Sequence, residues 1–569
     1  MKKLLIILTL LFFMGGKAFA QYEFEYVFDS IKNETPCALF QEIMELDNGD
    51  FILNGRDMTQ YAYPCYCIYQ LSPIGELIKE KLFVNDLQLA GYVLENNEGP
   101  RLLVNKNGGY YLFITYNPIF DTINTNYVPD TFDAKIMMKK LDDDFEIEYS
   151  REMSICLDTV DWKNLWGQNA SGCQAPKIVL GTVMDNDGEG FVISYEKYIG
   201  EHPQHLWEHG NDSTFFLKTD YDLNVNKTGF YEHNRCNGDK KHKNHLLYDS
   251  GDNKYIYYTA SDWSLAGEKK GFYVHIFDDE FNFIEENMLP NSDGTGFHTY
   301  YLRDEVGSTA GITFKRTTNK TTILGAGAHI PTVQQNNYYA AVCLELNDKA
   351  QMIDSMTFAG GIPSSGANRT SVPASRSIDW DDESRIFFGA TFDAFYLYSN
   401  FPPKYQYFTL RLLDRSLNTE YEMYYDMGKD STALWINALR ATRDGGCIIA
   451  GHFRNYVENP YDNFPRAFHS VVKKFPPEAF NSIDEAHDNG LKVAFAYPNP
   501  GNNVLNIRTA LPNAHVEVYD TNGKLICNQE ITDIVTSIDA ESWPSGIYVW
   551  KVVSDVKEAE SGKWVKKYH

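Results

Sequence analysis

The chain has 569 residues and carries 51 lysines and arginines against 77 aspartates and glutamates, a formal charge of −26. Its 43% hydrophobic and 14% aromatic content is enough to build folded cores, which argues against global disorder. An acidic chain without a stretch dense in Lys and Arg lacks the electrostatic footprint for nucleic acid or an anionic membrane, so we expect neither as a partner.

Residues 1–20 are typical of a secretory signal peptide. Two lysines precede an apolar run over residues 4–14, and the small-x-small site Ala18-Phe19-Ala20 follows. The run is well short of the ~20 apolar residues that a membrane-spanning helix needs. The pattern therefore predicts export and cleavage before Gln21, and no later segment predicts a transmembrane span.

Nine cysteines are present, so at least one is unpaired in an oxidising compartment. Cys156 and Cys173 flank one insertion and are the first candidates for a disulfide.

Residues 21–475 contain a repeat of short strands and tight turns. Each unit has a turn rich in Asp, Asn and Gly, an apolar strand, a variable loop, a second strand and a tight acidic turn. The acidic turns are 58 to 78 residues apart, near Ser72, Asp142, Asp220, Asp278, Asn347, Asp414 and Phe475. The repeat predicts an all-β fold with seven units, a seven-bladed β-propeller, with two stacked sandwiches as the competing arrangement.

The two ends of this region predict how the ring closes. After the seventh unit the chain reaches Pro476-Pro477, which cannot start a central strand. Residues 22–29 alternate aromatic and acidic side chains, as a half-buried strand does, and have no partner nearby. We therefore expect this amino-terminal strand to pair with residues 468–474 and complete the last blade.

Residues 476–490 are polar and acidic and predict a linker, and residues 491–569 contain enough short strands for a small Ig-like β-sandwich. Five ordered elements occupy the last 73 residues: Tyr497-Pro498-Asn499-Pro500, Leu505-Asn506-Ile507, Val516-Glu517-Val518-Tyr519-Asp520 with Gly523-Lys524, Trp543-Pro544-Ser545-Gly546-Ile547-Tyr548, and Gly562-Lys563-Trp564-Val565-Lys566-Lys567. Together they resemble the type A carboxy-terminal sorting domain of the type IX secretion system of Bacteroidota.

This resemblance implies passage through the periplasm and the outer membrane by the type IX secretion machinery, with display on the cell or release. It implies that the sorting signal includes Pro498, Asn499, Pro500, Gly523, Gly546, Tyr548, Lys563, Lys566 and Lys567. It covers none of residues 21–475.

The long insertions between strands are the best clue to a ligand. They carry exposed aromatic candidates for binding, namely Trp162, Trp166, Trp207, Tyr456 and Tyr461. Insertions in a repeat ring gather on one face, where aromatic residues suit a glycan or protein ligand. The alternative is that these aromatic residues only cover their own loops.

One loop carries side chains that bind metals, at His233, Cys236, His242 and His245. It lacks the paired Cys or helical His-Glu-x-x-His pattern of zinc sites, and the interspersed lysines would repel a cation. We expect no metal and no other cofactor.

The sequence predicts a secreted or surface-displayed binding or adhesion protein. The alternative is a secreted hydrolase or lyase with an active site in the propeller mouth. No nucleophile elbow, phosphate loop or dinucleotide motif decides between them, and paired carboxylates cannot be selected among so many acids. A coat protein without a small ligand is a third reading.

Overall fold

Short antiparallel strands account for almost all of the regular structure in the described part of the chain, and the exception is a single 3₁₀ turn at Pro477–Phe480. The computed structural model describes residues 23–28, 38–57, 66–84, 92–94, 100–118, 131–158, 177–198, 213–232, 245–249, 252–261, 271–289, 298–299, 313–319, 321–330, 338–349, 351–359, 371–392, 407–425, 432–455, 468–480, 494–497, 501, 503–509, 514–532, 535–554 and 557–566.

The strands before residue 476 follow one another in antiparallel sheets. β1 (Phe24–Phe28) precedes sheet 1, which contains β2 (Ala38–Glu45), β3 (Phe51–Asp57), β4 (Tyr66–Leu71) and β5 (Leu77–Phe83). Sheet 2 contains β6 (Tyr92–Leu94), β7 (Arg101–Val104), β8 (Tyr110–Pro118), β9 (Thr131–Leu141) and β10 (Ile147–Asp158). Sheet 3 contains β11 (Lys177–Asp185), β12 (Phe191–Tyr198), β13 (Ser213–Thr219) and β14 (Val225–Glu232). Sheet 4 contains β15 (His245–Asp249), β16 (Lys254–Ser261), β17 (Gly271–Asp278) and β18 (Phe283–Leu289).

The second half continues the pattern. Sheet 5 contains β19 (His298–Thr299), β20 (Thr313–Arg316), β21 (Thr322–Ile330), β22 (Tyr338–Leu346) and β23 (Met352–Ala359). Sheet 6 contains β24 (Ser371–Asp379), β25 (Ile386–Phe392), β26 (Tyr407–Leu413) and β27 (Thr419–Tyr425). Sheet 7 contains β28 (Thr432–Ala441), β29 (Cys447–Asn455) and β30 (Phe468–Phe475). A single parallel bridge between Arg376 and Ala438 links sheets 6 and 7.

The amino-terminal strand completes sheet 7, as the sequence predicts. β1 lies antiparallel to β30, with Phe24 opposite Lys474 and Phe28 opposite Ser470. The Lys473 ammonium lies 2.9 Å from a Glu23 carboxylate oxygen, on the polar side of the strand. The two phenylalanines of β1 face the other way, into a core that they share with sheet 1.

Apolar clusters join sheets that follow one another in the chain. Shared clusters fill the seams between sheets 1 and 2, 2 and 3, 3 and 4, 5 and 6, 6 and 7, and 7 and 1. Between sheets 4 and 5, the Asn287 amide donates a hydrogen bond to the Lys349 carbonyl at 3.0 Å. Ala479 and Phe480, just after β30, are buried in the seam of sheets 6 and 7, so the predicted linker begins with packed residues.

One turn recurs between the third and fourth strands. An Asp or Asn side chain accepts hydrogen bonds from the backbone N–H groups two and four residues later, at 2.8 to 3.0 Å, and this fixes the hairpin. The fourth residue of the turn has positive φ, and it is a buried apolar residue in four of the described turns: Phe145, Leu223, Phe281 and Leu417. Each of these side chains packs into the seam with the preceding sheet. We call this side chain the seam plug.

The described tight turns lie at one end of the sheets, which we call the turn face. Side chains link turns of neighbouring sheets there, as Lys106 does with Asp185 at 3.1 Å and Arg443 with Asp47 at 2.9 Å. Because the strands are antiparallel, the alternate connections leave from the opposite end, the insertion face. These connections include residues 58–65, 119–130, 159–176, 199–212, 233–244, 262–270, 360–370, 393–406, 426–431 and 456–467.

The carboxy-terminal module has two further antiparallel sheets. One contains β31 (Ala494–Tyr497), β32 (Val504–Thr509) and β35 (Val535–Asp539), and the other contains β33 (Ala514–Asp520), β34 (Leu525–Ile531), β36 (Gly546–Ser554) and β37 (Lys557–Lys566). Both sheets contribute to one core around Trp550 and Trp564.

Cys156 lies on β10 as an exposed free thiol. The suggested disulfide between Cys156 and Cys173 is therefore wrong for this structure, and Cys173 itself lies outside the described residues.

Candidate functional sites

The aromatic residues proposed for binding fall in the connections of the insertion face. Trp162, Trp166, Trp207, Tyr456 and Tyr461 all lie outside the described residues. What the structure provides is the ends of the strands that carry these connections. Sites in a repeat fold commonly combine such loops with a rigid floor.

Polar side chains on the second strands form part of that floor, where they bind the backbone of a neighbouring sheet. The contacts are Asn54 Nδ2 to the Pro100 carbonyl at 3.2 Å, Asn117 to both backbone groups of Ile178 at 2.9 and 2.8 Å, and the Ile436 N–H to Thr391 Oγ1 at 3.3 Å. All three side chains are buried, so these hydrogen bonds satisfy backbone groups that water does not reach. They fix the spacing of sheets near the insertion face.

Basic side chains of sheets 7 and 1 lie close together where these two sheets meet, and we call them the basic group. His452 on β29 is fully buried, and its Nδ1 lies 3.1 Å from Oδ1 of Asn437. Burial, and after it the positive charge of nearby Arg56, lowers the pKa of His452 to about 3. The imidazole is thus neutral at physiological pH, and Nδ1 donates to the asparagine oxygen. Arg454, two residues further along β29 towards the insertion face, is also buried.

Sequence reasoning missed this group. Arg56, Asn437 and His452 stand singly in apolar strand patterns, where one polar residue gives no motif. The signal that could have found them is a buried position in the strand alternation that is occupied by a charged or imidazole side chain.

Charged residues from three sheets also meet at the turn face, around Asp379 on β24. Its carboxylate accepts from Lys315 Nζ of sheet 5 at 2.7 Å and from the Ala441 N–H of sheet 7 at 2.9 Å, and Arg440 Nε lies at 3.3 Å. The two cations offset the charge of the buried acid. The arrangement joins three sheets at the turn face.

The weak metal candidates are not brought together by anything that the structure describes. His233, Cys236 and His242 lie outside the described residues, and His245 starts β15 without a described side chain. Among the described residues, no group of three or more His, Cys, Asp or Glu could hold a metal ion.

Some of the predicted sorting residues that the structure describes are buried in the domain, and others are exposed. Pro498, Asn499, Pro500 and Lys567 lie outside the described residues. Gly523 and Gly546 have positive φ, at 78° and 156°, in the turn after β33 and at the start of β36. The Tyr548 side chain is buried, and its hydroxyl donates to the Pro544 carbonyl at 2.6 Å.

Lys566 is also internal. Its ammonium donates to the carbonyls of Glu541 at 2.8 Å and Trp543 at 2.7 Å, and also to the carbonyl of Ala540. These three bonds replace the water that the charge loses on burial. Lys563, by contrast, is exposed on β37. Of the two described lysines at the basic end of the motif, Lys566 is therefore structural and Lys563 lies at the surface.

This module is the part of the chain with a family match. Residues 495–567 match the secretion system C-terminal sorting domain. The chain is a cargo protein of the type IX secretion system. The tail directs this cargo to the cell surface or the extracellular space. Within the described residues, no helix has the length and apolar character that a membrane crossing requires.

Solved structures similar to this cargo protein come from several organisms. The β-propeller domain of the Trilobed protease from Pyrococcus furiosus is 8% identical over 73% of this chain and 91% of that one, with a TM-score of 0.33. A sialidase of Trypanosoma rangeli is 8% identical over 95% and 88%, with a TM-score of 0.33. An α-L-arabinofuranosidase from Fusarium graminearum is 10% identical over 65% and 92%, with a TM-score of 0.34. These TM-scores are too low to assign an activity, and no curated protein matches the chain.

Proposed function

We propose that this cargo is a non-enzymatic binding or adhesion protein, exported after removal of residues 1–20 and displayed on or released from a Bacteroidota cell. Residues 21–475 form a seven-bladed β-propeller that β1 closes, residues 476–490 connect it to the next domain, and residues 491–569 form the Ig-like sorting domain. The ligand is an extracellular glycan or protein, held by the insertion face.

The closed ring is supported by the seams. Each numbered sheet packs on or hydrogen-bonds to the next, and sheet 7 packs on sheet 1 through the side chains of β1. A chain of neighbours that returns to its start is a ring. Closure also protects the sheet edges at the ends of the chain.

The binding face is supported by one observation in particular, the unequal connections at the two ends of the sheets. The turn face is built from short hairpins with internally satisfied hydrogen bonds. The insertion face carries all the candidate aromatic residues of the sequence on connections of up to 18 residues, as in residues 159–176. Aromatic side chains on one face give large contact areas at low entropy cost.

A binding assay tests this function. The purified full chain is applied to arrays of glycans and of matrix and surface proteins, beside Trp166→Ala and Trp207→Ala. We expect each substitution to weaken binding by about tenfold or more, as for aromatic contacts in an interface. Phe283→Ala is the matched control, because Phe283 is 52% exposed at the turn end of β18. Absence of binding by the unmodified chain, or equal loss in the control, would contradict the proposal.

The basic group at the joint of sheets 7 and 1 favours a second candidate, a secreted hydrolase or lyase. His452 is neutral and oriented by Asn437, with Arg56 near it. A neutral imidazole beside an arginine combines a proton acceptor with a cation that stabilises an anion, but the burial and the low pKa of His452 make it a weak base. Turnover of any substrate in a secretome panel that His452→Gln abolishes, without loss of folding, would favour this candidate over binding.

A further inference from the structure

The outward face of the four-stranded sheet of the sorting domain carries several exposed apolar side chains. Residues paired across antiparallel strands share a face of the sheet. Leu525 pairs with Tyr519, Tyr519 with Val549, and Val549 with Lys563, so this row crosses the four-stranded sheet from β34 to β37. Tyr548 and Trp550, the neighbours of Val549 in β36, point into the core, so the row faces outward.

We name the outward group the outer patch. Its members are Tyr519, Leu525, Ile547, Val549, Lys563 and Val565.

Several apolar side chains of the outer patch are exposed. Leu525 is 46% exposed, Ile547 47% and Val549 37%, and Ile547 lies opposite Val565 in the ladder. Contiguous exposed apolar side chains at adjoining ladder positions mark interaction surfaces. The two described lysines at the end of the motif show the same division, since Lys566 donates to three internal carbonyls while Lys563 lies beside Val549 on the surface.

We propose that the outer patch is the surface by which the type IX secretion machinery binds this cargo. The partner surface is apolar, with a carboxylate placed opposite Lys563. The support is that the matched module directs export and that its motif residues Tyr548, Trp564 and Lys566 are internal, whereas the outer patch is exposed. This proposal rests on the export assignment and is independent of the ligand of the propeller.

The test measures export of the full chain in a bacterium with a type IX system, as the ratio of surface plus medium to periplasm. Val549→Asp should lower this ratio by about tenfold, the effect of losing about 1.4 kcal/mol of binding. Val504→Asp is the matched control, because Val504 is also 37% exposed but lies on β32 of the other sheet. We expect its export to match that of the unmodified chain.

A second pair of variants tests the charge. Lys563→Glu should lower export by a similar factor, while Lys563→Arg keeps it. Thermal unfolding of each purified variant shows whether the domain still folds, and if Val549→Asp unfolds, Val549→Lys replaces it. Normal export of the folded Val549 and Lys563→Glu variants, or equal loss in Val504→Asp, would overturn the proposal. A chain without residues 491–569 should stay in the periplasm, and its export would instead overturn the sorting role itself.

Discussion

Two seams between neighbouring sheets are each filled by an aromatic side chain, but the side chain comes from the later sheet in one seam and from the earlier sheet in the other. Between sheets 3 and 4, Phe281 in the turn of sheet 4 is the seam plug, and a Cβ at Gly229 of β14 would lie 2.3 Å from the Phe281 Cβ. Between sheets 7 and 1, the turn of sheet 1 has Gly75, and a Cβ there would lie 2.4 Å from Cδ2 of Phe24 on β1. The aromatic residue lies in the turn and the glycine on the strand in the first seam, and the reverse holds in the second.

The difference shows that each of these seams needs one aromatic side chain at this place, and either of the two sheets can supply it. Gly75 keeps the positive φ of the turn, at 86°, while it leaves the space that Phe24 occupies. In the seam between sheets 7 and 1, the plug therefore comes from β1, the strand that completes sheet 7. Docking of β1 both fills this seam and adds the last strand of the sheet, whereas Phe281 only fills a seam.

The largest change in stability that we expect comes from removing the aromatic plug of either seam. Phe24→Ala should lower the free energy of unfolding by about 3 to 5 kcal/mol, because a buried aromatic side chain is removed and a cavity remains. Phe281→Ala should cost a similar amount, since the two plugs fill equivalent space. Chemical denaturation of both purified variants measures the difference.

Hydrogen exchange then separates the two seams. In Phe24→Ala we expect residues 24–28 to lose protection well before the rest, because β1 is held by a single ladder to β30. In Phe281→Ala, β18 also has a single ladder, to β17, but the tight turn after Asp278 ties it to that strand, so it should keep its protection. Equal patterns of exchange in the two variants would contradict a special role for the closing strand.

An exchange of plug and glycine sharpens the comparison. Phe24→Gly removes the plug, and Gly75→Phe alone adds a second ring where Phe24 already lies. The double variant moves the plug into the turn, where Phe145 and Phe281 already adopt φ of 63°. We expect it to be more stable than the sum of the single effects by about 2 kcal/mol, measured as a double-mutant cycle. A coupling energy near zero would mean that the two positions do not share one space.

The residues explain why the sequence predicted closure but not the plugs. The alternation of aromatic and acidic residues from Tyr22 to Asp29 and the prolines after β30 are local signals, and they led to the observed pairing of β1 with β30. Phe145 and Leu223 stand in turns where a polar residue or glycine is expected, and their purpose depends on the neighbouring sheet. Long-range packing of that kind leaves no periodic pattern.

The same contrast applies to the candidate sites, where local motifs could be predicted from the sequence and long-range packing could not. The ordered motif elements of the tail predicted the sorting domain that the family match confirms. They could not show that Lys566 is internal and Lys563 exposed, because strand alternation near a chain end depends on register. At the insertion face, the proposed aromatic residues remain a prediction.

The seam of sheets 7 and 1 also holds a buried imidazole with a lowered pKa, that of His452. His452 has a pKa of about 3 in the folded chain and about 6.5 when unfolded, so the unfolded state binds more protons between these values. Stability should therefore fall as the pH drops below about 6.5, by up to about 1.4 kcal/mol per pH unit from this residue. His452→Asn should remove that part of the slope between pH 6 and 5, as urea unfolding at each pH measures.

The smallest change in stability that we expect is in the sorting domain, where the same type of turn does not pack into a seam. Asp520 accepts from the N–H groups of Asn522 and Lys524 at 2.9 Å, as the ring turns do, but the fourth position is Gly523 with φ of 78°. Nothing lies within 4 Å of a Cβ built there, so a side chain would find neither a clash nor a core. Gly523→Ala should cost only the left-handed backbone strain of about 1 kcal/mol, and Gly523→Asn less, because Asn tolerates this conformation.

Thermal unfolding of the full chain can resolve this difference if the sorting domain gives its own transition. A cost near zero for Gly523→Ala would mean that the turn relaxes without a neighbouring sheet to hold it. A cost of several kcal/mol would mean that the open space beside Gly523 is filled by a contact the fold does not show. Either result bears on the plugs, because their apolar side chains outweigh the same backbone strain only where a seam buries them.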